Sequence, residues 1–452
     1  MALARTLERT VVAMLAATVV AFAAGSTIID HILLYGRPAR WYCLGGLFLL
    51  ALAYAAAAGR RRSLPIAFLA VGASLVVVAL TSALWSVDPV LTLKRAATFA
   101  ALFAAAGGLV AGSRGRDESI RRLLLGLLVG IAIVAVAGLF VLWFTDVGVQ
   151  SASFEYPARY RGFGQNPDTA SALLALGVPL ATFFALEARS WIWRGAAIAV
   201  ALFFAGSIAA SGSRAAMVAA FVGSLVVALG AGRGWRLRLA VAGGAAVVFG
   251  ASVGASQIPK PLQPQHAAPP ARVQIRSYQR TLLSSGGRLQ AWEGAIDQAA
   301  NRPVAGYGFG TEQLAFVDRY LQFDSALPEN SYIGAALQLG LVGLVLLLAL
   351  AVFALGAYAR SAFQLPSSAA ATASACAGAF IAALTIAVTQ SYLFSVGNIV
   401  TASAWISAFL LAAVVWAAPR GAVASGRARL RPTRAPRGSR RERSSLPTPG
   451  SR

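Results

Sequence analysis

Residues 122–144, RLLLGLLVGIAIVAVAGLFVLWF, carry a single charged side chain, Arg122, at their first position. The remainder is apolar or glycine. As an α-helix this stretch is long enough to cross the hydrocarbon core of a bilayer, which takes roughly 20 residues. A helix satisfies its backbone hydrogen bonds internally, so the segment predicts a membrane-spanning helix.

The same composition extends over most of the chain. Of its 452 residues, 58% are hydrophobic and 12% are charged, whereas soluble domains average about 25% charged residues. An ordinary soluble enzyme is therefore excluded. We predict an all-α, polytopic membrane protein with about twelve transmembrane helices. The predicted spans are 10–29, 41–58, 64–84, 92–112, 122–144, 168–187, 192–211, 214–231, 237–256, 330–357, 368–389 and 397–418.

The positions of lysine and arginine predict the orientation. Placing the N-terminus in the cytoplasm puts most of these residues on the cytoplasmic side, where they are favoured. We therefore expect both termini inside. Four regions follow: residues 1–256 with nine transmembrane helices, a large, partly helical outside loop at 257–329, three more transmembrane helices at 330–418, and a disordered basic cytoplasmic tail at 419–452.

The formal net charge of +23 would suggest nucleic acid as the partner of a soluble protein. In a membrane protein most of this excess is topology signal, so membrane lipids and not nucleic acid are expected. Two cysteines, Cys43 and Cys376, and two histidines, His31 and His266, give no disulfide or zinc pattern. No metal and no cofactor are predicted.

The large outside loop is expected to contain a helix. Leu289, Trp292 and Ile296, followed by Ala299 and Ala300, fall on one helical face. This pattern predicts an amphipathic helix on or near the outer boundary between membrane and water.

Three short motifs carry charge on the outside. SGSR at 211–214 puts Arg214 in a tight turn between two spans, where an arginine is costly and usually functional. GGRLQAW at 286–292 contains Arg288, and PENSY at 328–332 contains Glu329. Each has a simpler interpretation: Arg214 as a helix-end anchor, Arg288 as a solvated charge, and Glu329 as a favourable charge at a helix N-terminus.

The glycine-rich stretch GYGFG at 306–310 looks like a nucleotide-binding loop. It lacks the strand before it and the helix after it that such a loop requires. We therefore interpret it as a turn.

The motifs occur in an order that resembles the superfamily of O-antigen ligases and polysaccharide polymerases. The resemblance covers about residues 150–345. The matching segments are RGFGQNP at 161–167, SGSR at 211–214, GRLQAW at 287–292, PVAGYG at 303–308 and ENSY at 329–332, followed by Gly340 and Gly343.

The resemblance implies a metal-independent, inverting glycosyltransferase in the bacterial inner membrane, with the outside loop in the periplasm. It implies transfer of a glycan from undecaprenyl pyrophosphate to an acceptor hydroxyl on a glycan or on lipid A–core, in assembly of O-antigen, lipopolysaccharide or exopolysaccharide. Polysaccharide assembly proteins are possible partners. It further implies catalytic roles for Arg214, Arg288 and Glu329. The expected substrate-binding residues are Arg161, Asn166, Ser213, Asn330 and Tyr307.

One position departs from the family pattern, because Glu329 stands where a histidine base is usual. A carboxylate can accept a hydroxyl proton. The helix N-terminus should lower its pKa, and burial should raise it. Two other functions stay open: a lipid-linked glycan flippase or transporter, and an oligosaccharyltransferase that modifies protein hydroxyls.

Overall fold

The computed structural model describes residues 2–58, 64–151, 158–230, 243–244, 250, 287–316, 325–361 and 364–417. The predicted all-α fold is confirmed: the only strands among these residues form one short antiparallel pair, β1 (Val149–Gln150) and β2 (Arg159–Tyr160). The helices are α1 (Ala2–Ala24), α2 (Asp30–Ala58), α3 (Ile66–Thr81), α4 (Pro89–Ser113), α5 (Asp117–Phe144), α6 (Pro167–Glu187), α7 (Trp191–Ser211), α8 (Arg214–Gly230), α9 (Arg288–Ala300), α10 (Glu312–Ala315), α11 (Ser331–Ser361), α12 (Ser367–Ala387) and α13 (Thr401–Ala417).

Nine of the described helices, α1–α7, α11 and α12, are long and apolar enough to cross a membrane, with α3 counted together with the 3-10 turn Ser82–Leu84 that continues it. Helices α8 and α13 are apolar but have 17 residues each. Most of the predicted ninth span, 237–256, lies outside the described residues, so the count of twelve stays a prediction. The second predicted span, 41–58, lies within α2, and this helix begins earlier, at Asp30, and continues through the polar stretch around Pro38.

Local sequence fixes where several helices begin and end. The Asp88 side chain caps α4 by accepting the Leu91 N–H at 2.9 Å, and Asn166 caps α6 through the Asp168 N–H at 2.9 Å. Each cap is followed by a proline, which suits the first helical position. Helix α7 ends at Gly212, whose φ of 65° is a left-handed conformation that glycine adopts easily.

Consecutive spanning helices alternate in direction. At one end of the bundle the start of α5 meets both the start of α1 and the end of α6: Arg122 pairs with Glu8 at 3.2 Å and Arg121 with Glu187 at 3.0 Å. The other end, which we call the loop end, contains the ends of α3 and α7, the starts of α6, α8 and α11, and the packed segment 287–316. Trp85 there donates its indole N–H to the carbonyl of Ala305 at 2.9 Å.

Helix α11 is broken at Gly340, where φ is 62° and ψ is −159°. The break frees backbone groups that an intact helix would pair internally, and the segment 303–308 pairs them instead. The Leu341 N–H donates to the Pro303 carbonyl at 2.7 Å, and the Gly308 N–H donates to the Gln338 carbonyl at 2.8 Å. In the interior of a membrane, irregular backbone is tolerated only when its polar groups are paired in this way.

The predicted turn at 306–310 therefore forms backbone hydrogen bonds with the groups that the break in α11 leaves unpaired. It takes turn and bend conformations without a strand-to-helix arrangement. The turn leads directly into α10, which packs beside the start of α11.

The helix predicted in the loop is α9. Its small residues Ala291, Gly294 and Ala295 are buried and pack toward α11. Leu289 and Ile296 are 60% and 55% exposed. The contact of this apolar pair with a membrane stays a prediction.

Substituting Gly340→Ala should destabilise the protein by roughly 2–4 kcal/mol, since a side chain is strained at this φ and its methyl group would overlap the Val304 carbonyl. The measurement is the midpoint of thermal unfolding in detergent. Gly356→Ala is the matched control in the same helix, because a methyl group there meets nothing closer than the Arg360 side chain. Equal midpoints for the two variants would contradict the assigned role of the break.

Candidate active site

Arg288 and Glu329 form an ion pair at the loop end. Arg288 is the first residue of α9, and Glu329 lies two residues before α11. The guanidinium Nε and Nη2 both donate to Glu329 Oε2, at 3.0 and 2.7 Å. Both side chains are largely buried, with exposed fractions of 19% and 24%. Two residues 41 positions apart are thus brought into direct contact.

Arg159 and Asp168 form a second, more deeply buried pair. Arg159 Nη2 and Nη1 reach the two carboxylate oxygens of Asp168 at 2.6 and 3.3 Å. Its Nε donates to the Ser211 carbonyl at 2.6 Å. One guanidinium therefore ties the first turn of α6 to the last residue of α7.

Arg214 connects the two pairs electrostatically. It begins α8, and its charge interacts with those of Arg288, Asp168 and Arg159. The hydroxyl of Ser213 lies within hydrogen-bonding reach of the Asp168 carboxylate. We call these five residues, Arg159, Asp168, Arg214, Arg288 and Glu329, the charge cluster. With three arginines and two carboxylates, it carries one excess positive charge when all five are ionised.

Burial and the charge of Arg288 act on the pKa of Glu329 in opposite directions. Burial raises the pKa of the Glu329 carboxyl, and the charge of Arg288 lowers it. The net pKa lies above the ordinary value for glutamate. A carboxylate with a raised pKa is a stronger base than a solvated one, which suits it to accept a proton from a hydroxyl.

Glu329 also has a strained backbone. Its φ is 49°, in the left-handed region that non-glycine residues rarely adopt. Neighbouring hydrogen bonds hold it there: the Trp292 indole N–H donates to the Pro328 carbonyl at 2.9 Å, and the Asn330 N–H donates to Ser391 Oγ at 3.1 Å. Strain of this kind clusters at functional sites, where the surroundings over-determine it.

The start of α11 is fixed by its own side chains. Asn330 Oδ1 accepts the N–H groups of Tyr332 and Ile333 at 3.0 and 3.1 Å, so Asn330 is an N-cap. Ser331 Oγ donates to the Gln390 carbonyl at 2.6 Å. The substrate-binding role expected for Asn330 stays a prediction.

The other expected substrate-binding residues lie around the cluster in different ways. Ser213 contacts it directly through Asp168, and Asn166 caps the helix that carries Asp168. Arg161 donates to the Gln165 carbonyl at 3.0 Å. Tyr307 is buried, with its hydroxyl donating to the Gln298 carbonyl at 3.1 Å. The roles of these four residues in substrate binding stay predictions.

Sequence reasoning missed Arg159 and Asp168. The sequence places Arg159 and Arg161 two residues apart, and nothing local distinguishes them. The decisive contact of Arg159 is with Ser211, 52 positions away. A signal was present in Asp168, since a carboxylate at the start of an apolar helix needs a partner when it is buried.

Among the described residues, no group of three or more histidine, cysteine, aspartate or glutamate side chains is arranged to hold a metal ion.

Part of the chain that carries these residues matches a known family. Residues 199–348 match the O-antigen ligase family model. The match covers Arg214, Arg288, Glu329 and the break in α11, while Arg159 and Asp168 lie outside it. It supports the resemblance to O-antigen ligases and polysaccharide polymerases, and with it a membrane glycosyltransferase of that type. A search of curated proteins found no match.

Proposed function

We propose that this protein transfers a glycan from undecaprenyl pyrophosphate to an acceptor hydroxyl at the periplasmic face of the inner membrane, in assembly of O-antigen or another surface polysaccharide. The observation that carries the proposal is the charge cluster, which gathers three arginines and a carboxylate base at one end of a membrane bundle. The acceptor is a growing glycan or lipid A–core.

Arginine suits the diphosphate of such a donor. A planar guanidinium can make paired, charge-assisted hydrogen bonds to phosphate oxygens, and it stays protonated. Arg214 and Arg288 stabilise the negative charge that grows on the diphosphate as it leaves, which is usually the largest contribution to catalysis. The Arg159–Asp168 pair holds the turn that carries Arg214.

The Arg288–Glu329 contact couples donor binding to the base. Both bonds use the Nε and Nη2 edge of Arg288 and end on one oxygen of Glu329. A diphosphate that draws Arg288 toward itself weakens this pair. Because Arg288 lowers the pKa of Glu329, its withdrawal makes Glu329 a stronger base when the donor is in place.

The reaction then follows from these positions. The acceptor hydroxyl oxygen attacks the anomeric carbon on the face opposite the diphosphate, and its proton passes to Glu329. The bond between the anomeric carbon and the phosphate oxygen breaks, and undecaprenyl pyrophosphate leaves. Attack from the opposite face inverts the anomeric configuration. No step requires a metal.

The sidedness rests on the bundle together with the distribution of basic residues. The contact of Arg122 with Glu8 places the start of α1 opposite the loop end. The end of α13 is also opposite, since Ala417 packs beside Gly115 at the start of α5. With both of these ends cytoplasmic, the charge cluster faces the periplasm.

A lipid-linked glycan flippase remains the competing function, and the break in α11 favours it, because transporters often build their sites from interrupted helices. Reconstitution with a labelled lipid-linked donor separates the two. Glycan transfer supports the enzyme, whereas exchange between leaflets without transfer supports the flippase. Transfer to a protein hydroxyl would identify an oligosaccharyltransferase.

The lysine variants Arg214→Lys and Arg288→Lys should each weaken donor binding and slow transfer, because a point charge loses the paired geometry of a guanidinium. Donor affinity and single-turnover rate in proteoliposomes measure this. Arg189→Lys is the control, since Arg189 is exposed. Wild-type behaviour of both cluster variants would leave the arginines as simple anchors.

The variant Glu329→Gln should lower the single-turnover rate at saturating donor by about 10²–10⁴, the usual contribution of a positioned base. Donor affinity should not fall, since the neutral amide competes less than the carboxylate for Arg288, and Glu329→His should retain part of the activity. Glu293→Gln, on the exposed face of α9, is the matched control. A loss below about threefold for Glu329→Gln would reject the base assignment.

Transfer by the purified protein should survive EDTA, since the arginines supply the positive charge that a metal would otherwise provide. The measurement compares initial rates before and after chelation. Activity that disappears with EDTA and returns with a divalent cation would contradict metal independence.

A further inference from the structure

A second buried carboxylate lies near the start of α11, outside the charge cluster. Glu312, the first residue of α10, is 6% exposed and packs against Gly334 in the first turns of α11. A buried carboxylate is costly unless specific partners hold it. The groups around Glu312 lie between Gly310, in the turn at 306–310, and Asn330, at the start of α11.

A backbone N–H fixes the orientation of the Gln338 side-chain amide. The Gly310 N–H donates to Gln338 Oε1 at 2.7 Å, so this atom must be the amide oxygen. The other end of the amide is then its nitrogen, Nε2, which donates to Glu312 Oε2 at 3.0 Å. One carboxylate oxygen of Glu312 is therefore linked through Gln338 to Gly310, in the turn at 306–310.

The other carboxylate oxygen, Oε1, faces a side-chain hydroxyl, that of Ser391. Oε1 is buried and makes no hydrogen bond of ordinary geometry among the described residues. The Ser391 hydroxyl lies close enough to the Glu312 carboxylate to lower its pKa and is the donor available to it. Ser391 Oγ in turn accepts the Asn330 N–H at 3.1 Å, directly after Glu329.

We propose that Glu312 and Ser391 are positioning residues for Glu329, acting through the chain from Asn330 N–H to Ser391 Oγ–H to the Glu312 carboxylate. This chain holds the peptide after Glu329 and with it the left-handed backbone that aims the Glu329 carboxylate. The inference rests on the proposed role of Glu329. Hydrogen bonds in such a chain polarise and strengthen one another, so the charge at its end matters.

The charge state of Glu312 is sensitive near neutral pH. Burial raises the pKa of its carboxyl to about 7, against the opposing effects of the Ser391 hydroxyl and of Arg95. Arg95, on α4, donates to the Gly310 carbonyl, and Gln338 faces the carboxylate from α11. Above this pKa the ionised carboxylate accepts from Ser391. Below it the proton resides on Oε1, because Oε2 accepts from Gln338, and the neutral hydroxyl is a much weaker acceptor for Ser391, so the chain weakens.

The test compares Glu312→Gln, Ser391→Ala and the double variant in single-turnover transfer from a polyprenyl-pyrophosphate-linked glycan in proteoliposomes. Each single variant should lower the rate roughly 10- to 100-fold, as misplacement of a catalytic group does, with donor affinity unchanged. The double variant should be no slower than the slower single one, because both substitutions break one chain. Glu187→Gln, a paired carboxylate at the opposite end of the bundle, is the matched control.

The pH dependence separates positioning from general destabilisation. The ratio of wild-type to Glu312→Gln rates should be largest at about pH 8 and approach one at about pH 6, where Glu312 is protonated. A constant ratio, or losses that multiply in the double variant, would overturn the proposal. Ser391→Ala answers the question even where Glu312→Gln fails to fold, since rates within about twofold of wild type would overturn it. Full activity of Glu329→Gln would instead reject Glu329 as the base, which contradicts the proposed function and not the positioning by Glu312 and Ser391.

Discussion

Every polar backbone group of a membrane protein needs a partner, and the break in α11 is where this constraint acts most strongly. Gly340 interrupts the helix, and the segment 303–308 supplies the missing bonds. The packing of this segment brings α9 and α10 to the start of α11. Arg288 and Glu312 both depend on that arrangement, although neither lies in α11 itself.

The charge cluster is held together at a cost. Two ion pairs, Arg159–Asp168 and Arg288–Glu329, are largely removed from water, and buried pairs contribute little net stability on average. Their value lies in geometry. They fix arginines on α8 and α9 beside one another, and the carboxylates offset the mutual repulsion of these arginines.

The two carboxylates near the start of α11 differ in environment and in role. Glu329 pairs with Arg288, which the donor diphosphate draws away in the proposed reaction, whereas Glu312 is enclosed by an amide, a hydroxyl and a glycine. We propose proton transfer for the first and positioning of the backbone for the second. Strain at Glu329 is compatible with this division, because neighbouring hydrogen bonds on both sides of the residue maintain it.

The sequence by itself determined the fold class, most of the spans, the loop helix and three members of the charge cluster. Length and hydropathy suffice for helices in a bilayer, since the solvent imposes a simple rule on them. Arg214, Arg288 and Glu329 stood out because charge is rare in this chain. The tertiary structure alone decided that Arg159 and not Arg161 joins the cluster, that burial outweighs the charge of Arg288 at Glu329, and that Ser391 lies between Glu312 and Asn330. These contacts join residues that are tens of positions apart, and only packing can specify them.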